Sequence, residues 1–225
     1  MDSPAQGAPV LEIMAAAVRG CTWCRLHTTR TVAVPGEGPA TAAVLLIGEA
    51  PGKDEDLSGR PFVGRAGRIL ERALEAAGLP RGSVFITNVV KCRPPGNRKP
   101  RSNEVETCRP HLLAEIREVQ PQIIVTLGST ALRGLMGPGL DLKEARHQSL
   151  HLGTLPVRAT YHPAAVLYNR TLEKALRRDL RKVARAIEPH RVKSRRRRRL
   201  RTTRQARSGG GPSGRRPSRD RAARR

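Results

Sequence analysis

Four cysteines stand at positions 21, 24, 92 and 108. Cys21 and Cys24 form a C-x2-C pair, 67 residues separate Cys24 from Cys92, and 15 separate Cys92 from Cys108. Such a pair grips one metal centre from a single turn, and two further thiolates complete a four-sulfur set. Thiolates alone fit both zinc and an iron-sulfur cluster; the bland alternative is four unrelated buried thiols. Other chemistry-bearing residues fall just beyond apolar runs. Asn88 follows "SVFIT", and its carboxamide sets a donor beside an acceptor, matching one edge of a nucleobase, although an asparagine there can also merely close a turn. His162 follows "LPVRATY" and precedes Pro163; a histidine so placed is a site residue or simply a satisfied polar group. The stretch "GEAPGKDEDLSGRPFVGRAG" (48–67) mixes glycines, which let backbone amides approach a ligand, with Glu49, Asp54, Glu55 and Asp56. These carboxylates suit a water or a cationic transition state, with Asp54 and Asp56 reading as a solvated turn. The stretch is neither a P-loop nor a G-x-G-x-x-G fingerprint. Phe62 is one of two Phe in a chain with one Trp and two Tyr; it is a platform for a flat ligand or a seal on the core's edge.

The elements that must position these residues alternate in type. Strands are predicted at 42–48, 83–87, 122–128 and 155–161, each a short apolar run. Between and after them helices are predicted at 64–78, from Ser102 or Asn103 towards Val119 with a bend or seam at Pro110, at 129–136, and at 169–187. This alternation argues for an α/β fold, a three-layer α/β/α arrangement around a mainly parallel four-stranded sheet. The loops leaving its strands then form the site.

The chain has 225 residues, room for one core with appendages, and carries 43 Lys+Arg against 19 Asp+Glu, a formal +24. Between Pro189 and Arg225 lie 16 Lys or Arg and one Asp, so that stretch holds +15 of the excess. Its Arg/Ser/Gly/Pro composition cannot bury enough surface to order itself, so 189–225 is expected to be a disordered tail, either a non-specific nucleic-acid tether or a solvated extension. Residues 1–9 are expected to be a flexible N-terminus without the marks of a secretory signal, and no run is long enough to cross a membrane. An intracellular, cytoplasmic and nucleoid-associated monomer is expected, its cysteines being ligands or free thiols.

In this order and with these cysteine spacings, "GEAPGKDEDLSGRPFVGRAG", "ITNVVKCRPPGNRKP", "CRPHLLAEI", "PQIIVTLGSTA" and "TYHPAAVL" resemble the family 4 uracil-DNA glycosylases, the iron-sulfur type. The likeness spans about residues 10–188, the expected glycosylase domain, and leaves out the Arg-rich tail. It implies a 4Fe-4S cluster held by Cys21, Cys24, Cys92 and Cys108 in a structural role. It implies excision of uracil from DNA, with the nucleotide flipped into a pocket at a cost of a few kcal/mol. Phe62 would stack on the base, and Asn88 would donate to O4 and accept from N3–H, a pattern that cytosine inverts. His162 would donate to O2 as negative charge grows there, helped by amides around Gly48, Ala50 and Gly52. Glu49 is the candidate for handling the attacking water; family 1 enzymes have an Asp in this loop, whereas here Ala50 follows Glu49. Glu55 is assigned to excluding thymine's methyl group. Lys91, Arg93, Arg98 and Lys99 would face DNA, and Val166 and Leu167 would wedge into the base stack or else belong to the core.

Two other readings compete. A sister group binds uracil covalently through a histidine in an inserted basic loop, but "KCRPPGNRKPRSNEVETC" has neither the insertion nor the histidine. A non-catalytic, metal-stapled nucleic-acid-binding module would fit the composition, yet it has no need of Glu49, Phe62, Asn88 and His162 together.

Overall fold

The computed structural model describes residues 7–187. In chain order these form α1 (Gly7–Arg19), β1 (Val44–Gly48), α2 (Lys53–Ser58), α3 (Arg65–Glu75), β2 (Phe85–Asn88), α4 (Ser102–Val119), β3 (Ile123–Leu127), α5 (Ser129–Met136), α6 (Leu142–Ala145), β4 (Leu150–Leu152), β5 (Leu155–Thr160) and α7 (Pro163–Tyr168). A last helix, α8, runs through 172–187. Helix α1 takes in residues 7–9, which were expected to be flexible; the rest of that segment and the Arg-rich tail lie outside the described residues.

The strands form one sheet in the order β2-β1-β3-β5-β4, parallel except for β4. Strands β1, β2 and β3 are buried throughout, because helices cover both faces of a parallel sheet, and this is why they read as unbroken apolar runs. The two faces still alternate along β1. Val44 and Leu46 pack with Leu70 and Leu74 of α3 and Leu176 and Leu180 of α8, whereas Leu45 and Ile47 pack with Leu112 and Ile116 of α4 and Leu135 of α5. The three-layer arrangement is thus present, with a fifth strand in place of the expected four. Strand β4 is a three-residue edge strand joined to β5 through Gly153 and Thr154. Gly153 has φ 60°, the sign that a II′ hairpin turn requires at its first central residue.

Helix α4 runs through Pro110 without dividing. Pro110 is on its exposed side, where water can meet the carbonyl that the ring leaves without an amide. The helix starts on Arg101, whose amide donates to Glu104, while Arg98 grips the same carboxylate with two N–H groups at 2.7 and 2.8 Å. Glu104 therefore supplies the cap that Ser102 or Asn103 was expected to provide. Among the described residues no helix is long and apolar enough to cross a membrane.

Candidate active site

The parallel register brings the functional residues to the carboxyl edge of the sheet. Gly48 of β1 lies opposite Asn88 of β2, and Leu127 of β3 lies opposite Thr160 of β5, two residues before His162. The loops leaving these strands enclose a cleft of about 310 Å³ walled by Glu49, Ala50, Gly52, Glu55, Phe62, Asn88 and His162, within the roughly 300–1,000 Å³ of small-molecule sites. Phe62 holds a left-handed backbone, φ 53°, and is 7% exposed; its ring lies 5.7 Å from that of His162 at 33°. A side chain at Gly48 would collide with the Phe62 ring and the Asn88 carboxamide, so glycine is what lets the platform and the amide close on the strand end.

Asn88 is 2% exposed, and its Oδ1 has no hydrogen-bond partner. Buried polar atoms are nearly always paired, so an orphan on the wall of a cleft marks a place for a ligand or a water to bind. His162 caps α7: its Nδ1 accepts the Ala164 amide at 3.1 Å, so the neutral ring carries its proton on Nε2. Burial pushes the imidazole down to about 4, so His162 is a neutral donor at physiological pH. Glu49 walls the same cleft, and among the described residues its carboxylate has no ion-pair partner.

Glu55, assigned to excluding thymine's methyl group, lies on the cleft wall with its carboxylate engaged by the loop. Its carboxylate accepts the amides of Gly52, Val63 and Gly64 at 3.0, 2.9 and 2.8 Å, folding the glycine-rich loop around itself. Asp56, read as solvated, is buried and accepts the Thr31 amide at 2.9 Å. Glu55→Ala strips three inward amides of their acceptor, and a thermal or urea melt is expected to show a loss of about 3 kcal/mol or more.

The four thiols also come together. Cys21 and Cys24 follow α1, Cys92 follows β2, Cys108 lies in α4, and all four line one cavity with Trp23, His27, Arg30 and His111. Arg30 donates to Cys92 Sγ at 3.0 Å and the Lys91 amide to Cys108 Sγ at 3.3 Å. Burial pushes the Cys108 thiol up to about 11 and also raises Cys92. Trp23 stacks on His111 at 4.5 Å beside the cavity. Among the described residues no three His, Cys, Asp or Glu side chains are spaced to hold a single metal ion; the thiols surround a space.

The model of the uracil DNA glycosylase superfamily matches residues 35–185. Three relatives are each named type-4 uracil-DNA glycosylase. That of Saccharolobus solfataricus is 43% identical over 187 residues, 79% of this chain and 86% of its own. That of Pyrobaculum aerophilum is 46% identical over 72% of this chain and 87% of its own, and that of Thermotoga maritima 43% over 73% and 86%. The chain belongs to the type-4 uracil-DNA glycosylases.

The residues expected to face DNA divide in this type-4 chain. Lys91 does not face solvent: it is 2% exposed and paired with Glu115 at 2.6 Å, because the turn after β2 points its side chain back under the sheet end. Val166 is 4% exposed and belongs to the core, since α7 directs it against the sheet; it is not free to wedge into a base stack. Arg93 donates to Asn97 at 2.7 Å, Arg98 walls the cleft while bound to Glu104, and Lys99 is exposed. Leu167 is 38% and Tyr168 92% exposed, and Tyr168 lines the cleft. Tyr168 was missed, although the scarcity of aromatics that singled out Phe62 applies to it as well. Arg30 and His111, beside the thiols, were missed because nothing in their spacing marks them.

Proposed function

We propose that this protein removes uracil from DNA by hydrolysing the N-glycosidic bond of a flipped nucleotide, leaving an abasic site for base excision repair. The observation that carries it is the buried Asn88 carboxamide with an unpartnered Oδ1, walled into one cleft with Phe62 and a neutral His162. Uracil offers N3–H to Oδ1 and O4 to the amide N–H, and cytosine offers the reverse. Phe62 supplies a face for the ring to stack on.

Cleavage leaves positive charge on the sugar and negative charge on the departing base. His162 donates Nε2–H to O2 as that charge develops; such a donor can lower a barrier by roughly 3 kcal/mol. A neutral imidazole strengthens this bond without surrendering a proton. Glu49 holds the attacking water and faces the cationic sugar. Ala50, on the cleft wall, would bring a backbone amide to the base, whereas the Gly52 amide is taken by Glu55.

The thiol set fits a 4Fe-4S cluster held by Cys21, Cys24, Cys92 and Cys108, since four soft donors surround a space and two receive N–H groups from the protein. Bound there, the cluster would staple the segment after α1, the loop after β2 and α4 together, a structural service with no part in bond cleavage. Arg93, Lys99, Leu167 and Tyr168 would meet the duplex, with the chain acting as a monomer in the cytoplasm, on nucleoid DNA, and the basic tail adding sequence-independent contacts.

Purified protein, assayed for iron and sulfide, is incubated with oligonucleotides carrying uracil, thymine or cytosine at one position and then treated with alkali. Strand cleavage at uracil alone is expected. Tight, salt-sensitive binding that leaves uracil in place would assign the chain to the non-catalytic binding module instead.

A further inference from the structure

The Lys91 ammonium lies beneath the carboxyl end of β2, and each of its three N–H groups has an acceptor. These are Glu115 Oε2 at 2.6 Å, Thr87 Oγ1 at 2.5 Å and the main-chain carbonyl of Asn88 at 3.0 Å. Glu115 is equally engaged, accepting the Thr87 hydroxyl at 2.7 Å and the Gly36 amide at 2.9 Å. Two apolar side chains of similar volume often serve stability as well as a buried ion pair, so stability alone does not account for this one. An apolar pair could not donate to the Asn88 carbonyl.

That carbonyl is half of a clamped peptide. The amide of Val89, on the other side of the same peptide plane, donates to Gly48 O at 3.0 Å. With both ends bound, the plane is held against rotation, which fixes the Cα–Cβ direction from which the Asn88 carboxamide projects. Because Oδ1 has no hydrogen-bond partner, the carboxamide is aimed by the backbone it projects from together with the Phe62 ring packed beside it. The main chain of Lys91 faces the other way, into the thiol site, with its amide on Cys108 Sγ at 3.3 Å and Cys92 next in sequence.

We propose that Lys91 is a positioning residue for uracil excision: anchored on Glu115, its ammonium clamps the Asn88–Val89 peptide and so aims the carboxamide that reads the base. This rests on the function proposed above. It also gives the thiol site a path to the base pocket, since one residue contributes its backbone to the first and its side chain to the second.

The test compares wild type, Lys91→Met and the double variant Lys91→Met/Glu115→Leu in single-turnover excision of a uracil oligonucleotide. Rates are taken per folded molecule, counted by circular dichroism. The double variant removes both buried charges together, so its thermal midpoint is expected to lie above that of Lys91→Met, which leaves Glu115 charged and unpaired, and below the wild type's, because the Gly36 amide and the Thr87 hydroxyl lose their acceptor. Both variants are expected to excise about a hundredfold more slowly, the loss falling on the maximal rate and not on the protein concentration giving half of it. A folded variant that excises at the wild-type maximal rate, or failure of both to fold at all, assigns the pair to structure and overturns the proposal. Wild-type protein that leaves uracil intact overturns the underlying function, a distinguishable result, and the proposal with it.

Discussion

Asn88→Ala is expected to lower uracil excision by about a hundredfold to a thousandfold while barely moving the thermal midpoint. The two effects separate because of how the residue is held. Asn88 is 2% exposed, and its Oδ1 bonds to nothing in the protein, so truncation removes no internal side-chain bond at that atom and relieves an unpaired buried oxygen. What it removes is the complement to the uracil edge. A pocket built to hydrogen-bond its ligand discriminates strongly because a mismatched base leaves buried groups unpaired, so the variant loses both rate and the margin between uracil and cytosine. Alkaline strand cleavage of matched uracil and cytosine oligonucleotides, with a melt of the same preparation, measures both. Near-wild-type excision by a folded Asn88→Ala protein would remove Asn88 from base recognition.

His162→Asn is expected to cost about a hundredfold in the excision step with little change in DNA affinity. Asparagine can still accept the Ala164 amide and cap α7, so the helix start survives, but its shorter amide does not carry a donor to where Nε2–H stands. The same residue carries a pH signature. Burial holds the folded imidazole at about 4 against an ordinary value of 6.5, so between those values the unfolded chain binds a proton that the folded chain refuses. The stability tied to His162 is therefore complete above pH 6.5 and is lost as the pH falls towards about 4, with no further loss below that. Urea unfolding across that window should fall more steeply with acid for wild type than for His162→Asn. Equal slopes would mean that His162 titrates like an exposed histidine.

Residues that the sequence reading placed correctly share a physical cause. Strands buried on both faces must be apolar throughout, so "VLLIG" and "IIVTL" declared themselves, and the residue ending each such strand belongs to the ligand-facing edge. Asn88, which ends β2, was found by that rule; His162, two residues beyond β5, lies in a loop leaving the same sheet edge; and the C-x2-C spacing announced the thiol set because a chelating turn is local. Strand β4 was not found, since three residues, two half-buried and one exposed, are too few to establish a period.

Other assignments depended on partners far along the chain. Lys91 and Lys99 look alike in "KCRPPGNRK", but Lys91 meets Glu115 on α4 and goes inside, whereas Lys99 stays in solvent. Glu55 was singled out as a base-facing residue, but its part as the acceptor that folds the loop depends on the chain returning to offer it the amides of Val63 and Gly64. Val166, Leu167 and Tyr168 are consecutive on a six-residue helix too short to show a hydrophobic phase, and only its docking decides that the first is core and the last is exposed. The sequence by itself determined the layered fold, the thiol set and the residues at the strand ends, because period, length and spacing are local properties of the chain. The tertiary structure alone decided which charges are buried and which side chains face the cleft, because burial is set by contacts between residues that sequence keeps apart.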